Sequence, residues 1–288
     1  PLLQFLIARS EFCLSKSVSV RATCVTISIT QEKMCASRNP IYDQPRLVYT
    51  TVPDGLLEPL VDPVCPYASL TPTTIIDRFS LTVEKWGRRP AMALKRPALG
   101  SSAANLPASW KVWTWLEYHQ ECSKFAKTLL HLKCSAYTVV NCIGFNSPEW
   151  LIANTGAILA SCITAGIYTT NSPEACRYIS AHSKAQVVVC DGNAQLEKYA
   201  EIARDLPHLK CVVVWGDEVD PLLAQRCGVA VYPWAAFLLL GTEAGVTDDQ
   251  LESRQRLARP GNCSTLIYTS GTTGPPKAVM VSHDNVTW

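Results

Sequence analysis

The apolar residues of this chain fall into short continuous runs, and the segments between several of them carry helical periodicity. The clearest runs are rich in β-branched residues and cover Thr138–Ile143, Cys162–Tyr168, Gln186–Cys190 and Cys211–Trp215. Continuous apolar runs are typical of parallel strands that are buried on both faces. Strand and helix units of this length favour parallel pairing through right-handed crossovers. The pattern therefore predicts an α/β fold with a largely parallel sheet and helices on both faces.

Three helix starts are marked by their capping residues. Ser-Pro-Glu occurs at Ser147–Glu149 and again at Ser172–Glu174. In each copy serine is an N-cap, proline suits the first helical position, and the acid lies near the positive end of the helix dipole. Thr114 and Glu117 have the spacing of a capping box. The helix that follows this box has an apolar face formed by Tyr118, Cys122, Phe125, Ala126 and Leu129.

Weaker signals place the other elements around these units. They are a helix opened by Thr71-Pro72 and ended by Gly87, strands at Ala91–Lys95 and Trp110–Trp113, a loop at Leu99–Pro107, a helix at Asn193–Arg204, a short strand and helix within Val229–Leu240, a helix at Thr247–Leu257 and a turn at Arg259–Asn262. His119 and His131 lie off the apolar face of their helix, so we expect solvated side chains there, not metal ligands.

The first 46 residues have mixed polarity and no sustained period, so residues 1–46 are predicted to be an irregular, disordered leader, and 47–288 to carry the fold. Hydrophobic residues make up 48% of the 288 residues and charged residues 17%, which is enough for a sizeable core. The net charge of +2 gives no electrostatic footprint for nucleic acid.

The 13 cysteines include no C-x-x-C pair, which argues against a zinc ribbon or a redox pair and favours buried, reduced thiols in the cytoplasm. The stretch from Trp150 to Pro173 carries no charge, and a membrane-spanning helix is one interpretation of it. Polar residues inside the stretch, Asn154 and Thr164 among them, favour a helix followed by a buried strand. No transmembrane span is therefore expected.

The most informative stretch lies near the end of the chain, between an apolar run that ends at Tyr268 and another at Ala278–Val281. It contains two glycines, four hydroxyl residues, one lysine and no acid. Glycine lets backbone amides approach a bound group, and hydroxyls and an ammonium add donors, so the loop suits a polyphosphate. Its spacing is not that of G-x-x-x-x-G-K-[ST], and Pro275-Pro276 cannot lie inside a helix. The alternative is an ordinary polar hairpin.

The run Tyr-Thr-Ser-Gly-Thr-Thr-Gly-x-Pro-Lys resembles the phosphate-loop signature of the adenylate-forming (AMP-binding) superfamily. Gly144–Trp150, Gly166–Cys176 and Ser282–Trp288 are similar to the bubblegum family of long-chain acyl-CoA synthetases. The similarity extends from about Val48 to the last residue, which makes 47–288 a partial AMP-binding N-terminal domain. Ala278 departs from the family, which usually has glycine there, and a positive φ at this alanine would cost roughly 1 kcal/mol.

The resemblance implies a long-chain fatty acid–CoA ligase that uses ATP and Mg²⁺, with coenzyme A as co-substrate. The fatty acid forms an acyl-adenylate and releases diphosphate, and the thiol of coenzyme A then displaces AMP. The implied ATP-phosphate site consists of Thr269, Ser270, Gly271, Thr272, Thr273, Gly274, Pro275, Pro276 and Lys277. Lys277 and Thr272 are its candidate catalytic residues. No protein nucleophile is evident, because Ser282–Asp284 are consecutive on a predicted strand and cannot converge as a triad.

Loops that follow parallel strands lie at the ligand-binding edge of such sheets, so Phe145-Asn146 and Thr169–Asn171 are further ligand-contact candidates, with helix capping as the alternative. The family's other functional segments lie downstream of this motif, so we expect these 288 residues alone to show no ligase turnover. Two other functions stay open: a non-catalytic nucleotide- or partner-binding fragment, and an adenylating enzyme for another carboxylic acid. Peripheral association with the endoplasmic reticulum membrane is a further expectation of the resemblance.

Overall fold

The computed structural model describes residues 51–57, 70–96, 109–269 and 275–288. Its helices are α1 (Ile75–Trp86), α2 (Trp115–His131), α3 (Pro148–Leu159), α4 (Pro173–His182), α5 (Gly192–Ile202), α6 (Pro221–Cys227), α7 (Trp234–Glu243), α8 (Asp248–Gln255) and α9 (His283–Thr287). Its strands are β1 (Pro90–Arg96), β2 (Ser109–Thr114), β3 (Val139–Ile143), β4 (Ile163–Ile167), β5 (Val187–Asp191), β6 (Cys211–Trp215), β7 (Ala230–Pro233), β8 (Cys263–Thr269) and β9 (Lys277–Ser282). The predicted leader at 1–46 and the predicted loop at Leu99–Pro107 lie outside the described residues.

The main sheet has seven strands within the described part of the chain, in the order β7-β6-β5-β3-β4-β8-β9. Neighbouring strands are parallel from β7 to β8, and β9 is antiparallel to β8. A separate antiparallel pair is formed by β1 and β2. The predicted α/β fold with a largely parallel sheet is therefore confirmed.

Both faces of the main sheet are covered by helices. On one face Phe125 of α2, Ile152 of α3 and Phe237 of α7 pack against alternate residues of the central strands. On the other face Leu196 and Tyr199 of α5 pack against the intervening residues. All five residues of β3 are buried, which is why its sequence is a continuous run with no polar alternation. Each fully buried Val, Leu, Ile or Phe contributes roughly 1.5–3 kcal/mol to folding.

The predicted helix starts at Ser147, Ser172 and Thr114 are confirmed. Both serine hydroxyls accept a hydrogen bond from the backbone N–H three residues on, at 3.1 and 3.2 Å. Thr114 forms the full capping box with Glu117. The uncharged stretch that begins at Trp150 forms α3 followed by β4, and no helix in the described ranges is long and apolar enough to cross a membrane.

Two expectations about the helices were wrong, and one helix was not predicted. The first helix begins at Ile75 and not at Thr71-Pro72, because Thr74 and Asp77 form a capping box three residues further along. Helix α6 was not predicted, since only seven residues separate its N-cap, Asp220, from its end. His119 is half-buried beside the ring of Phe79, with ring centroids 5.5 Å apart, whereas His131 is exposed as expected.

The cysteines of the described residues are unpaired thiols, and all nine are buried. Burial raises the pKa of the Cys142 and Cys211 thiols to about 12, so both are protonated and unreactive near neutral pH. This confirms the prediction of buried thiols.

We expect His283 to make stability fall as the pH is lowered. Burial lowers the pKa of this imidazole from 6.5 to about 4, and its Nδ1 accepts a hydrogen bond from the backbone N–H of Ile75 at 3.3 Å. The unfolded chain binds the proton more tightly than the folded one. The contribution of the neutral imidazole to the free energy of unfolding is therefore fully present above pH 6.5 and is lost as the pH falls toward 4. The loss is about 3 kcal/mol.

Urea unfolding at pH 7, 5.5 and 4.5 measures this effect. His283→Gln should flatten the pH dependence over that window, and His131→Gln, at an exposed position of α2, should leave it unchanged. Equal pH dependence in His283→Gln and the wild type would contradict the assignment.

Candidate active site

The residues that flank the predicted phosphate loop, Thr269 and Lys277, lie at the carboxyl edge of the sheet. β8 is parallel to β4, so it ends at the edge where the parallel strands end, and β9 returns antiparallel from there. The last residue pair of this hairpin is Thr269 opposite Lys277. In doubly wound sheets this edge is where ligands bind. Thr269 and Lys277 thus lie at the position where a nucleotide site is expected.

Thr269, Pro275, Pro276 and Lys277 are the members of the predicted site that the structure describes. Thr269, Pro275 and Lys277 are exposed, and Pro276 is half-buried. Because directly opposed residues of an antiparallel pair share a face, the hydroxyl of Thr269 and the ammonium of Lys277 emerge side by side. Lys277 forms no ion pair with an acid of the described residues. The ammonium is therefore available to an anion.

The other predicted members lie outside the described residues. They are Ser270, Gly271, Thr272, Thr273 and Gly274. Their roles stay predictions, and this includes the catalytic role of Thr272.

Ala278 fits its position without strain. It lies within β9 opposite Tyr268. The non-glycine residues with positive φ in the described ranges are Lys133, Tyr137, Ser161 and Lys184, and Ala278 is not among them. The steric cost that a positive φ would impose on alanine does not arise.

The two faces of the hairpin differ in character. Tyr268, Ala278 and Met280 pack toward a small core cluster beside β4. On the opposite face Ile267 and Val279 are 48% and 47% exposed, and the cross-strand pairing places them on the face that carries Lys277. The ammonium therefore lies at the end of an exposed apolar strip.

A cluster of aromatic side chains between α4 and the hairpin, with Tyr178 and Tyr268 half-buried and His182 exposed, was not found by sequence reasoning. The Tyr178 hydroxyl donates a hydrogen bond to the backbone carbonyl of Pro276 at 2.9 Å. The Tyr268 hydroxyl lies 2.9 Å from Nδ1 of His182. Burial raises the pKa of Tyr268 to about 12, so its phenol stays neutral. The spacing of four residues between Tyr178 and His182, which places both on one face of α4, was the available signal.

Two other loops at this edge carry exposed aromatic residues. Phe145 is 74% exposed and its backbone N–H donates to the Asp191 carboxylate at 3.2 Å. Tyr168 is 73% exposed, and Lys198 donates from Nζ to the carbonyl of Thr169 at 2.6 Å. Capping by Ser147 and Ser172 accounts for the serines of these loops. The exposed rings are compatible with ligand contact by Phe145-Asn146 and Thr169–Asn171, and this contact stays a prediction.

The segment Ser282–Asp284 does not lie on one strand, contrary to expectation. Ser282 ends β9 and caps α9 by accepting a hydrogen bond from the Asn285 N–H at 3.1 Å, and His283 begins the helix. The imidazole of His283 is engaged by the backbone of Ile75. Within the described residues no group of three or more His, Cys, Asp or Glu side chains is arranged to hold a metal ion.

Residues 82–288 match the family model described as AMP-binding enzyme. The chain belongs to the AMP-binding enzyme family. Among curated relatives, the long-chain-fatty-acid–CoA ligase ACSBG2 of Xenopus laevis is 39% identical over 221 residues, covering 77% of this chain and 28% of that protein. The Gallus gallus ACSBG2 is 39% identical over 242 residues, covering 84% and 29%. The human ACSBG1 is 36% identical over 251 residues, covering 87% and 32%.

This chain thus spans about three tenths of the length of the curated relatives it matches. The bubblegum-type resemblance found in the sequence is confirmed by these identities. The activity that the names of these relatives state is a property of those whole proteins, and for this chain it is a proposal.

Solved structures of AMP-binding enzymes share the fold. The A-PCP didomain of carboxylic acid reductase from Segniliparus rugosus, in complex with AMP, superposes with a TM-score of 0.62 at 19% identity, covering 77% of this chain and 33% of that one. The anthranilate CoA ligase AuaEII, in complex with anthranoyl-AMP, gives a TM-score of 0.54 at 19% identity, covering 76% and 37%. At these identities the likeness concerns the fold alone.

Proposed function

We propose that this chain supplies the ATP-phosphate site of a long-chain fatty acid–CoA ligase. The observation that carries the proposal is the exposed ammonium of Lys277 beside Thr269, at the carboxyl edge of the sheet, with two glycines and three further hydroxyl residues between them in sequence. Membership of the AMP-binding family and the names of the relatives support the nucleotide and the acid. The donor set matches a polyphosphate, since it includes a cation and hydroxyls and no acid.

In the proposed reaction a carboxylate oxygen of the fatty acid attacks the α-phosphorus of ATP. The bond from that phosphorus to the bridging oxygen breaks, and diphosphate leaves with the electron pair. The sulfur of coenzyme A then attacks the acyl carbon, and AMP leaves. Charge accumulates on the departing diphosphate, so the loop's task is to hold that group and stabilise its charge.

Lys277 is proposed to contact the β- and γ-phosphates directly. Hydrogen bonds to a charged phosphate contribute about 1.5–3 kcal/mol each, and the ammonium adds an ionic attraction that the neutral hydroxyls lack. The hydroxyls of Thr269, Ser270, Thr272 and Thr273 are proposed to donate to the same oxygens. Mg²⁺ that binds together with ATP would neutralise the charge that one ammonium leaves uncompensated.

The buried, unpaired thiols of the described residues support a proposed location in a reducing compartment, the cytoplasm. Reducing conditions keep such thiols free of disulfides. A fluorescent fusion that localised to the lumen of the secretory pathway would contradict this location.

The exchange of labelled diphosphate into ATP tests the proposed reaction, because it reports adenylation without requiring coenzyme A. With the protein expressed from its complete reading frame, exchange should depend on an added long-chain fatty acid. Aryl acids and amino acids of equal concentration serve as matched alternatives. If exchange depended on one of those acids and not on a long-chain acid, the proposed substrate class would be wrong, but the proposed adenylation reaction would stand. No exchange with any acid would overturn the proposed reaction.

A further inference from the structure

Helix α4 contacts both ends of the phosphate loop through one pair of side chains. Tyr178 donates to the carbonyl of Pro276, which precedes β9, and His182 meets the hydroxyl of Tyr268, which precedes the last residue of β8. We call Tyr178 and His182 the α4 pair. One helix face thus joins two points on the chain that flank the loop.

The α4 pair is itself held together. The rings of Tyr178 and His182 stack with centroids 5.6 Å apart and planes 20° apart. The ring of His182 meets the ring of Tyr268 edge to face, with centroids at 5.8 Å. The Tyr268 hydroxyl also donates to the carbonyl of Ile179, at 3.4 Å. Aromatic pairs in these arrangements add to the packing energy and fix the ring orientations, so the three rings form one unit.

The contact at Pro276 lies beyond the hairpin ladder. Pairing of β8 with β9 ends at Thr269 and Lys277, so the carbonyl of Pro276 is outside it. Proline has no N–H, which means that this residue cannot be held through a backbone donor of its own. The hydrogen bond from Tyr178 therefore fixes the backbone directly before Lys277.

We propose that Tyr178 and His182 are positioning residues that fix the two ends of the phosphate loop relative to each other. They act on the direction in which Thr269 and Lys277 leave the hairpin, without touching the nucleotide. Sites that stabilise a developing charge depend on such placement, because displacement by about 1 Å costs up to a hundredfold in rate. This inference rests on the proposed function for its consequence in catalysis, but the positioning itself is a property of the hairpin.

Tyr178→Phe tests the inference, because it removes the hydroxyl and keeps the ring that stacks on His182. Tyr137→Phe is the matched control: its hydroxyl lies 3.3 Å from both the carbonyl of Leu257 and Oδ1 of Asn262, and Tyr137 precedes β3 at the opposite edge of the sheet. Amide hydrogen exchange of the peptide that covers residues 269–277 is the measurement. Exchange in that peptide should be about fivefold faster in Tyr178→Phe, as loss of one hydrogen bond permits, and unchanged in Tyr137→Phe.

His182→Gln is the second variant and should produce the same local increase. Exchange in residues 269–277 equal to the wild type in both variants would overturn the inference. A rise in every peptide of both variants would also overturn it, since this would show a general loss of stability.

Mg-ATP separates the inference from the proposed function. In the wild type it should slow exchange in residues 269–277, and about fivefold more Mg-ATP should be needed for the same effect in Tyr178→Phe. If Mg-ATP has no effect on the wild type while Tyr178→Phe still exchanges faster, the positioning role stands and the ATP assignment fails.

Discussion

Gly241→Ala is expected to lower the free energy of unfolding by about 3 kcal/mol, because overpacking a core contact forces backbone movement. Gly241 lies in α7, where this helix crosses α2. A Cβ atom at this position would lie 2.3 Å from the carbonyl carbon of Lys127 and 2.4 Å from the amide nitrogen of Thr128. Both are backbone atoms, so no rotamer change can relieve the overlap. The helix propensity that alanine adds, roughly 1 kcal/mol, is smaller than this cost.

The same helix crossing contains a buried hydrogen-bond relay that the substitution would disturb. Thr128 donates from Oγ1 to the carbonyl of Phe237 at 2.7 Å and accepts from the N–H of Gly241 at 3.0 Å. Separating α2 from α7 would leave these polar groups buried without partners, and each such group costs about 1–3 kcal/mol.

Urea denaturation monitored by circular dichroism measures the effect. Gly166→Ala is the matched control, because a Cβ there would meet its nearest neighbour, Cζ2 of Trp150, at an ordinary 3.5 Å. The control should change stability by less than about 0.5 kcal/mol. Equal stability of the two variants would show that α2 and α7 do not approach as closely as described.

In the protein expressed from its complete reading frame, Lys277→Ala is expected to slow acid-dependent exchange of diphosphate into ATP by about a hundredfold, the usual loss when one donor to a developing negative charge is removed. Lys277 is exposed at the mouth of the hairpin and forms no ion pair with a described acid, so the loss would reflect the missing contact with phosphate. Folding should be preserved, because the side chain makes no buried contact there.

Two controls accompany this variant. Lys124→Ala removes an exposed lysine from α2 and should leave the exchange rate unchanged. Lys277→Arg keeps the charge in a different shape and should retain part of the activity, about a tenth. If Lys277→Ala exchanged at the wild-type rate, the assignment of the lysine would be wrong.

The central sheet could be predicted from the sequence because its strands are buried on both faces. The apolar runs at Val139–Ile143 and Cys211–Trp215 contain almost no polar residue, and short β-branched runs of this kind, alternating with helical segments, favour a covered parallel sheet. Local capping chemistry then located the helices that begin at Pro148 and Pro173. The residues of each cap are close together in the sequence, so these helix starts could be predicted without the structure.

Two helices were placed less well, although local capping residues are present at both of them. The start of α1 was misplaced because Thr71-Pro72 imitates a helix start, whereas the true cap is the reciprocal pair Thr74 and Asp77. Helix α6 is short and has little apolar periodicity. The pair Thr74 and Asp77 is itself a local signal, whereas the contact beside it, from the Ile75 N–H to Nδ1 of His283, joins residues far apart in the chain.

One part of the candidate site could be predicted from the sequence and another part could not. The hairpin and its glycine and hydroxyl content were evident from one contiguous stretch, and the pairing of Thr269 with Lys277 agrees with it. The contacts made by α4 join residues far apart in the chain, Tyr178 with Pro276 and His182 with Tyr268. Nothing in either segment alone predicts that they meet.

The structure of this protein with Mg²⁺ and a non-hydrolysable ATP analogue tests the central claim most directly. We expect the β- and γ-phosphates to lie against residues 269–277, with the ammonium of Lys277 within hydrogen-bond distance, about 2.7–3.2 Å, of a phosphate oxygen. A nucleotide bound elsewhere on the protein, with Lys277 facing solvent, would contradict the claim that this hairpin binds the phosphates of ATP.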